Sequence, residues 1–138
     1  MTNKSQIVFV CEHGAAKSIV ASAWFNKLAS ESGVAFHSIA RGTHPEPELS
    51  PIALAGLQTD GLTPGETIPQ KLTVSDMDSS QFTITFCSLS DEESHRAVDY
   101  EHWDDIPAVS DGYEAARDAL LNRINHLISE LKSSDSQM

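Results

Sequence analysis

"QIVFVCEHGAAKS", residues 6–18, joins an apolar run to a loop of small residues and then to a helical pattern. Gln6 to Val10 form a continuous strand-type run whose last four residues are β-branched or aromatic, as in a strand buried on both faces of a parallel sheet. The run stops at Cys11. Gly14, Ala15 and Ala16 let a ligand approach the backbone. From about Lys17 the spacing becomes helical, with Ile19, Val20, Ala23, Trp24 and Leu28 three or four places apart. The first N–H groups of such a helix face the loop, where they attract anions and favour a thiolate. Cys11 reads as a nucleophile beneath a phosphate-sized cradle, or as a buried thiol that ends a strand. Local physics leaves both open.

Working outward, Gly33 suits a helix stop, and Val34 to Ile39 read as a second strand. "RGTHPEPE" is a loop. Ser50-Pro51 opens a helix with serine as N-cap and proline in the first turn, and Gly61 ends it. "QFTITF", residues 81–86, reads as a strand with Cys87 at its end. Residues 90–97 suit a short helix with Ser90 and Glu93 in capping-box spacing. Ile106 to Val109 suit a last short strand or extended loop. A final helix is expected from about Ser110 to Lys132, with Tyr113, Ala116, Leu120, Ile124, Leu127 and Leu131 as its apolar stripe. Alternating strands and helices without a linker predict one α/β domain over 1–132, with a flexible tail at 133–138. In such sheets ligands lie beyond the carboxyl ends of the strands, which places Cys11 and Cys87 on one rim.

The chain has 138 residues, enough for a real core, and a formal charge of -11 from 20 acidic and 9 basic residues. No basic face is visible for nucleic acid or an anionic membrane surface. No segment has the length of a membrane span, and the N-terminus lacks signal-peptide character. A cytoplasmic protein with two reduced thiols is expected. The six histidines and two cysteines show no metal-ligand spacing; a thiolate mechanism requires neither a metal nor an organic cofactor.

"VFVCEHGAAKS" resembles the active-site loop of the low-molecular-weight protein tyrosine phosphatases and the related thiol-dependent arsenate reductases. Their pattern is cysteine, five residues, arginine, then serine or threonine. "FHSIARGTHPEPELSPIALAGLQTDGL", "IPQKLT", "FTITFC" and "HWDDIPAVSDGYEAARDAL" resemble later segments of the arsenate reductase branch. The resemblance covers most of the chain. It implies a three-layer α/β sandwich on a four-stranded parallel sheet. It implies that Cys11 attacks phosphorus or arsenic, and that amides from Glu12, His13, Gly14, Ala15 and Ala16 through Ser18 hold the oxygens. Ser18 would bond the thiolate. Asp105, with Asp104 as the alternative, would protonate the leaving group, which an alkoxide requires; both also read as solvated loop acids. This mechanism requires Lys17 and Asp105 to converge on Cys11.

Several positions depart from the family pattern. Lys17 stands where the family has arginine, and an ammonium cannot clamp two oxygens as a guanidinium does. Gly14 replaces an asparagine, which suggests a looser cradle, and Ser22 replaces a frequent glutamate. Arg41, expected just after the second strand, reads either as a substitute anion ligand or as the partner of Glu46 or Glu48. His13 and His44 are rim candidates, while Trp103 and Tyr113 read as packing residues. Cys87 matches the first resolving cysteine of the arsenate reductases, but Ser94 occupies the position of the second. Cys87 reads either as a redox partner of Cys11 or as a core thiol.

The first expectation is a cytoplasmic hydrolase, a cysteine-dependent phosphatase acting through a cysteinyl-phosphate on a phosphorylated substrate. The alternatives are an arsenate reductase completed by an external thiol reductant or thiol-redox partner, a non-catalytic oxyanion-binding or regulatory homologue, and a phosphocysteine carrier.

Overall fold

Strand β1 (Gln6–Cys11) is the centre from which the rest is arranged. Its alternate side chains feed two cores, because successive residues of a strand point to opposite faces. Ile7 and Phe9 enter the larger cluster, and Val8 and Val10 enter a smaller one with Leu72 and Met77. The computed structural model describes residues 5–91 and 100–136.

β1 is followed by α1 (Lys17–Glu31), β2 (His37–Gly42), α2 (Pro51–Thr59), α3 (Val74–Asp78), β3 (Phe82–Thr85) and β4 (Tyr100–His102). A 3-10 turn at Val109–Asp111 leads into α4 (Tyr113–Ser136). The sheet order is β2-β1-β3-β4 and every pairing is parallel. Helices α1 and α4 pack on the face of Ile7 and Phe9, with Ile19, Phe25, Leu120 and Ile124 fully or almost fully buried there. The other face carries the segment around Leu72 and α3. These are the three layers of the expected α/β sandwich.

Most boundaries follow from local chemistry. Ser50 Oγ accepts from Ala53 N at 3.3 Å, and Pro51 opens α2. Gly33 ends α1 with φ +72°, and Gly61 follows α2 with φ +78°. These left-handed conformations favour glycine.

Four expectations need correction. The second strand is His37–Gly42, displaced from Val34–Ile39. Val34 instead closes the helix end, its N–H donating to Ala29 O at 2.9 Å while its side chain is buried. The fourth strand is Tyr100–His102; of the two readings for 106–109, the loop holds for 106–108, and Val109 opens the 3-10 turn. β4 is an exposed edge strand without apolar alternation, whereas Ile106 and Val109 are buried anchors of the connection. Helix α3 was missed, although Thr73 and Asp76 form a full capping box, each side chain accepting from the other's N–H at 3.0 Å. α4 extends to Ser136, so residues 133–136 continue the helix expected to end at Lys132. The expected helix at 90–97, and Ser94 with it, falls largely outside the described residues.

Candidate active site

Cys11 ends β1 with only 8% of its surface exposed. Its Sγ lies 3.0 Å from Ser18 Oγ in the first turn of α1. The hydroxyl can donate to the sulfur when the latter is a thiolate, the role the family resemblance implies for Ser18.

The loop between them is fixed by its carbonyls. Thr43 N donates to Cys11 O at 3.1 Å, His44 N to Glu12 O at 2.7 Å, Glu46 N to His13 O at 3.0 Å and Ser50 N to Ala15 O at 2.9 Å. Four successive contacts therefore zip the loop to residues 43–50. The amides of residues 13–16 donate to no backbone carbonyl among the described residues. Ala16 caps α1 without a side-chain hydrogen bond, so the first helical amides are open as well. An N–H cradle at an uncapped helix N-terminus is an anion site in waiting.

Gly14 does not loosen this cradle. It turns the loop with φ +62° and packs on Gly42 so closely that a Cβ on either glycine would meet backbone. A Cβ on Gly42 would come within 2.6 Å of Gly14 N. The pair explains both the glycine in the loop and the glycine that ends β2.

The cradle opens into a cavity of about 470 Å³. Cys11, Glu12, His13, Ala15, Ala16 and Lys17 form one side of it, with Glu46 and Ser50 beside them. Phe86, Cys87 and residues 108–110 form the other. Lys17 thus lines the same cavity as Cys11, and among the described residues its ammonium makes no ion pair or hydrogen bond. Cys87 also lines the cavity while packing on the Val8–Val10 cluster. No disulfide joins Cys11 and Cys87. β1 and β3, which carry them toward the same edge, are adjacent. Glu46, Ser50, Phe86 and residues 108–110 were not anticipated here. The proline-rich loop gave no period to read, and only Ser50 carried a signal, as an N-cap.

Arg41 does not reach the anion site. It pairs in register with Val10, and strand alternation sends it to the opposite face from Cys11. There Nε donates to Asp76 Oδ2 at 2.9 Å, and Nη1 to Glu66 Oε2 at 3.2 Å and Ala40 O at 2.8 Å. Its partners are therefore neither Glu46 nor Glu48. Asp104 and Asp105 do not line the cavity either. Asp104 is exposed, and Asp105 is paired with Arg123 of α4 at 3.0 Å. The requirement that Asp105 converge on Cys11 is not met in this conformation.

The remaining candidates divide cleanly. His13 lines the cavity between Glu12 and Glu46, while His44 is exposed, with Nδ1 3.2 Å from Thr43 Oγ1. Trp103 is a core residue against Phe9 and Phe86. Ser22 Oγ bonds Ser38 Oγ at 2.8 Å, a buried link between α1 and β2. Tyr113 donates to Asp60 Oδ2 at 2.8 Å and accepts from Trp24 Nε1 at 3.2 Å. Burial pushes its phenol up to about 12, with Asp60 adding to the shift and the Trp24 bond opposing it. Among the described residues, no three His, Cys, Asp or Glu side chains are grouped to hold a metal ion. No described helix is long and apolar enough to cross a membrane.

The fold is similar to several solved structures. A thioredoxin-dependent arsenate reductase from Corynebacterium glutamicum is 23% identical with a TM-score of 0.70, the match covering 94% of this chain and 62% of that one. This chain therefore spans less than two thirds of that protein. A mutant of YwlE from Bacillus subtilis is 20% identical with a TM-score of 0.80, covering 92% and 98% of the two chains. A low molecular weight protein tyrosine phosphatase from Streptococcus pyogenes is 16% identical with a TM-score of 0.75, covering 92% and 93%. No curated protein matches the sequence. The pattern of the low molecular weight phosphotyrosine protein phosphatases matches residues 6–136, nearly the whole chain. The chain belongs to that family.

Proposed function

We propose that the protein is a cysteine-dependent phosphatase of its family's type, acting on phosphomonoesters. One observation carries the reading: Cys11 Sγ, bonded to Ser18 Oγ at 3.0 Å, lies at the foot of a loop whose carbonyls are tied back and whose amides are free. The thiolate sulfur attacks phosphorus, forming an S–P bond as the P–O bond to the leaving group breaks. Water then attacks phosphorus, the S–P bond breaks, and phosphate leaves with the thiolate regenerated. The cradle amides and Lys17 stabilise the equatorial oxygens through both steps.

The leaving oxygen must gain a proton unless it leaves as a stable anion. With Asp105 turned to Arg123, nitrophenyl phosphate should be a far better substrate than an alkyl phosphate, because nitrophenolate leaves unprotonated. The test is release of nitrophenol by the whole chain and by Cys11→Ser. The wild type should turn over, and the variant should be slower on the order of a thousandfold or more. Phosphate binding without turnover in the wild type would instead favour a non-catalytic oxyanion-binding homologue.

A second reading, arsenate reductase, is favoured by Cys87 lining the same cavity as Cys11. Arsenate bound to Cys11 would be reduced to arsenite by two electrons from thiols, with an external thiol completing the cycle and a disulfide as the oxidised product. Arsenite formation with glutathione, mycothiol or thioredoxin as reductant tests it.

A further inference from the structure

The cavity that receives the anion also carries charge against it. Glu12 and Glu46 line it beside Cys11. They flank His13, whose Nε2 is 3.8 Å from Glu12 Oε2 and whose Nδ1 is 3.6 Å from Glu46 Oε1. Their main chains are fixed by the zipper, since Glu12 O accepts from His44 N and Glu46 N donates to His13 O. Both carboxylates are exposed, so they can meet a substrate.

The neighbouring cations do not outweigh them. Lys17 is a single charge facing two carboxylates in the lining. Arg41 is committed to Glu66 and Asp76 on the other face of the sheet. Lys71 Nζ donates to Thr43 O at 2.7 Å, outside the cavity lining. His13 adds positive charge only when protonated. The chain as a whole has a net charge of -11. A phosphate with no cation near it therefore approaches a repulsive rim. A positive group close to the phosphate would turn that repulsion into attraction.

We infer that Glu12 and Glu46 select substrates bearing a cationic group next to the phosphoryl group, in the form of phosphorylated peptides with lysine or arginine flanking the phosphorylated residue. The inference deepens the phosphatase reading and rests on it. Both carboxylates are solvent-exposed, so the selectivity is moderate, about three- to tenfold, and sensitive to salt.

The test uses the whole chain and two phosphotyrosine peptides of equal length, one flanked by lysines and one by glutamates. kcat/KM is compared at about 0.02 M and about 0.5 M salt. The lysine peptide should be preferred at low salt, and the preference should shrink at high salt. The double variant Glu12→Gln, Glu46→Gln should lose most of it. Binding of the same peptides to Cys11→Ser gives the ratio independently of turnover. Hydrolysis of both peptides at equal efficiency overturns the selectivity and leaves the phosphatase reading standing, as does a preference that survives the double variant. A retained binding preference without any hydrolysis overturns the phosphatase reading alone.

Discussion

The segments that leave β1 and β4 both emerge at the carboxyl edge of the sheet, and they are held by different forces. Residues 11–18 are held by main chain: carbonyls zipped to residues 43–50, and Gly14 against Gly42. Beyond the bond from Trp103 N to Thr85 O at 2.9 Å and the local turn at 108–112, residues 103–113 are held by side chains. Trp103 is packed among aromatic rings, Asp105 is paired with Arg123, and Tyr113 is bonded to Asp60 and Trp24. A cradle built from amides keeps its shape across pH and salt, because no titrating group defines it. A connection built from an ion pair and a half-buried phenol responds to both. The loop amides are thus preorganised, while Asp105, the expected acid, is held away from Cys11 by Arg123.

The contrast breaks most sharply at the glycine contact. Gly42→Ala would drive a Cβ to within 2.6 Å of Gly14 N and 2.8 Å of Gly14 Cα. Urea denaturation should show a loss of about 2–4 kcal/mol, and phosphate should no longer protect the protein. Gly65→Ala is the control, because nothing lies within 4 Å of the added carbon; its change should stay under about 0.5 kcal/mol.

Next in size is the charge in the cradle. Lys17→Ala should weaken phosphate binding about tenfold, read by calorimetry, with stability little altered. Lys17→Arg should raise turnover of nitrophenyl phosphate several-fold, because a guanidinium can clamp two oxygens. Equal turnover in lysine and arginine forms would show that the amides do nearly all the work.

The side-chain-held segment should reveal itself through pH. The Tyr113 phenol is held up at about 12 by burial, against an ordinary value of 10.0. Below about pH 10 the phenol is protonated in folded and unfolded chains alike, and its contribution is complete. Between about pH 10 and 12 the unfolded chain releases the proton while the folded chain keeps it, so stability falls as pH rises. The urea midpoint should drop over that range in the wild type and drop less in Tyr113→Phe. Parallel curves for the two proteins would contradict the assignment.

The smallest effect is expected at Asp105. Its pair with Arg123 is largely exposed, so Asp105→Asn should cost under about 1 kcal/mol. Nitrophenyl phosphate hydrolysis should change less than about threefold. A loss of a hundredfold or more would mean that the carboxylate leaves Arg123 and protonates the leaving group during turnover.

Legibility in the sequence followed the same division. β1, the loop after it, the start of α1 and the Ser50-Pro51 cap could be read because period and cap chemistry are local. The strand at His37–Gly42 was misplaced because Ser38, Arg41 and Gly42 are polar or small, and their strand character comes from pairing with β1. β4 carried no pattern because its three side chains are all exposed. That Cys11, Ser18 and Lys17 lie close together at one end of the sheet follows from the short span between the strand end and the helix start. Glu46 was missed as a cavity residue because the hydrogen bond from its N–H to His13 O is a long-range contact. Arg41 is suggested as an anion ligand by its place after the second strand, and Asp105 as the acid by the family resemblance, but the carboxylates that bind Arg41 and the arginine that binds Asp105 lie far away in sequence.

Residue patterns alone are enough to specify an α/β sandwich with a cysteine at the end of the first strand and a helix beginning directly after a loop of small residues. They are enough because hydrophobic period, glycine and proline stops and capping residues act within a few positions of one another. Which charges line the cavity beside Cys11 depends instead on tertiary packing. Strand alternation turned Arg41 to the far face, the zipper to residues 43–50 brought Glu46 beside Glu12, and Arg123 drew Asp105 toward α4. Those outcomes depend on packing between segments that no local pattern connects.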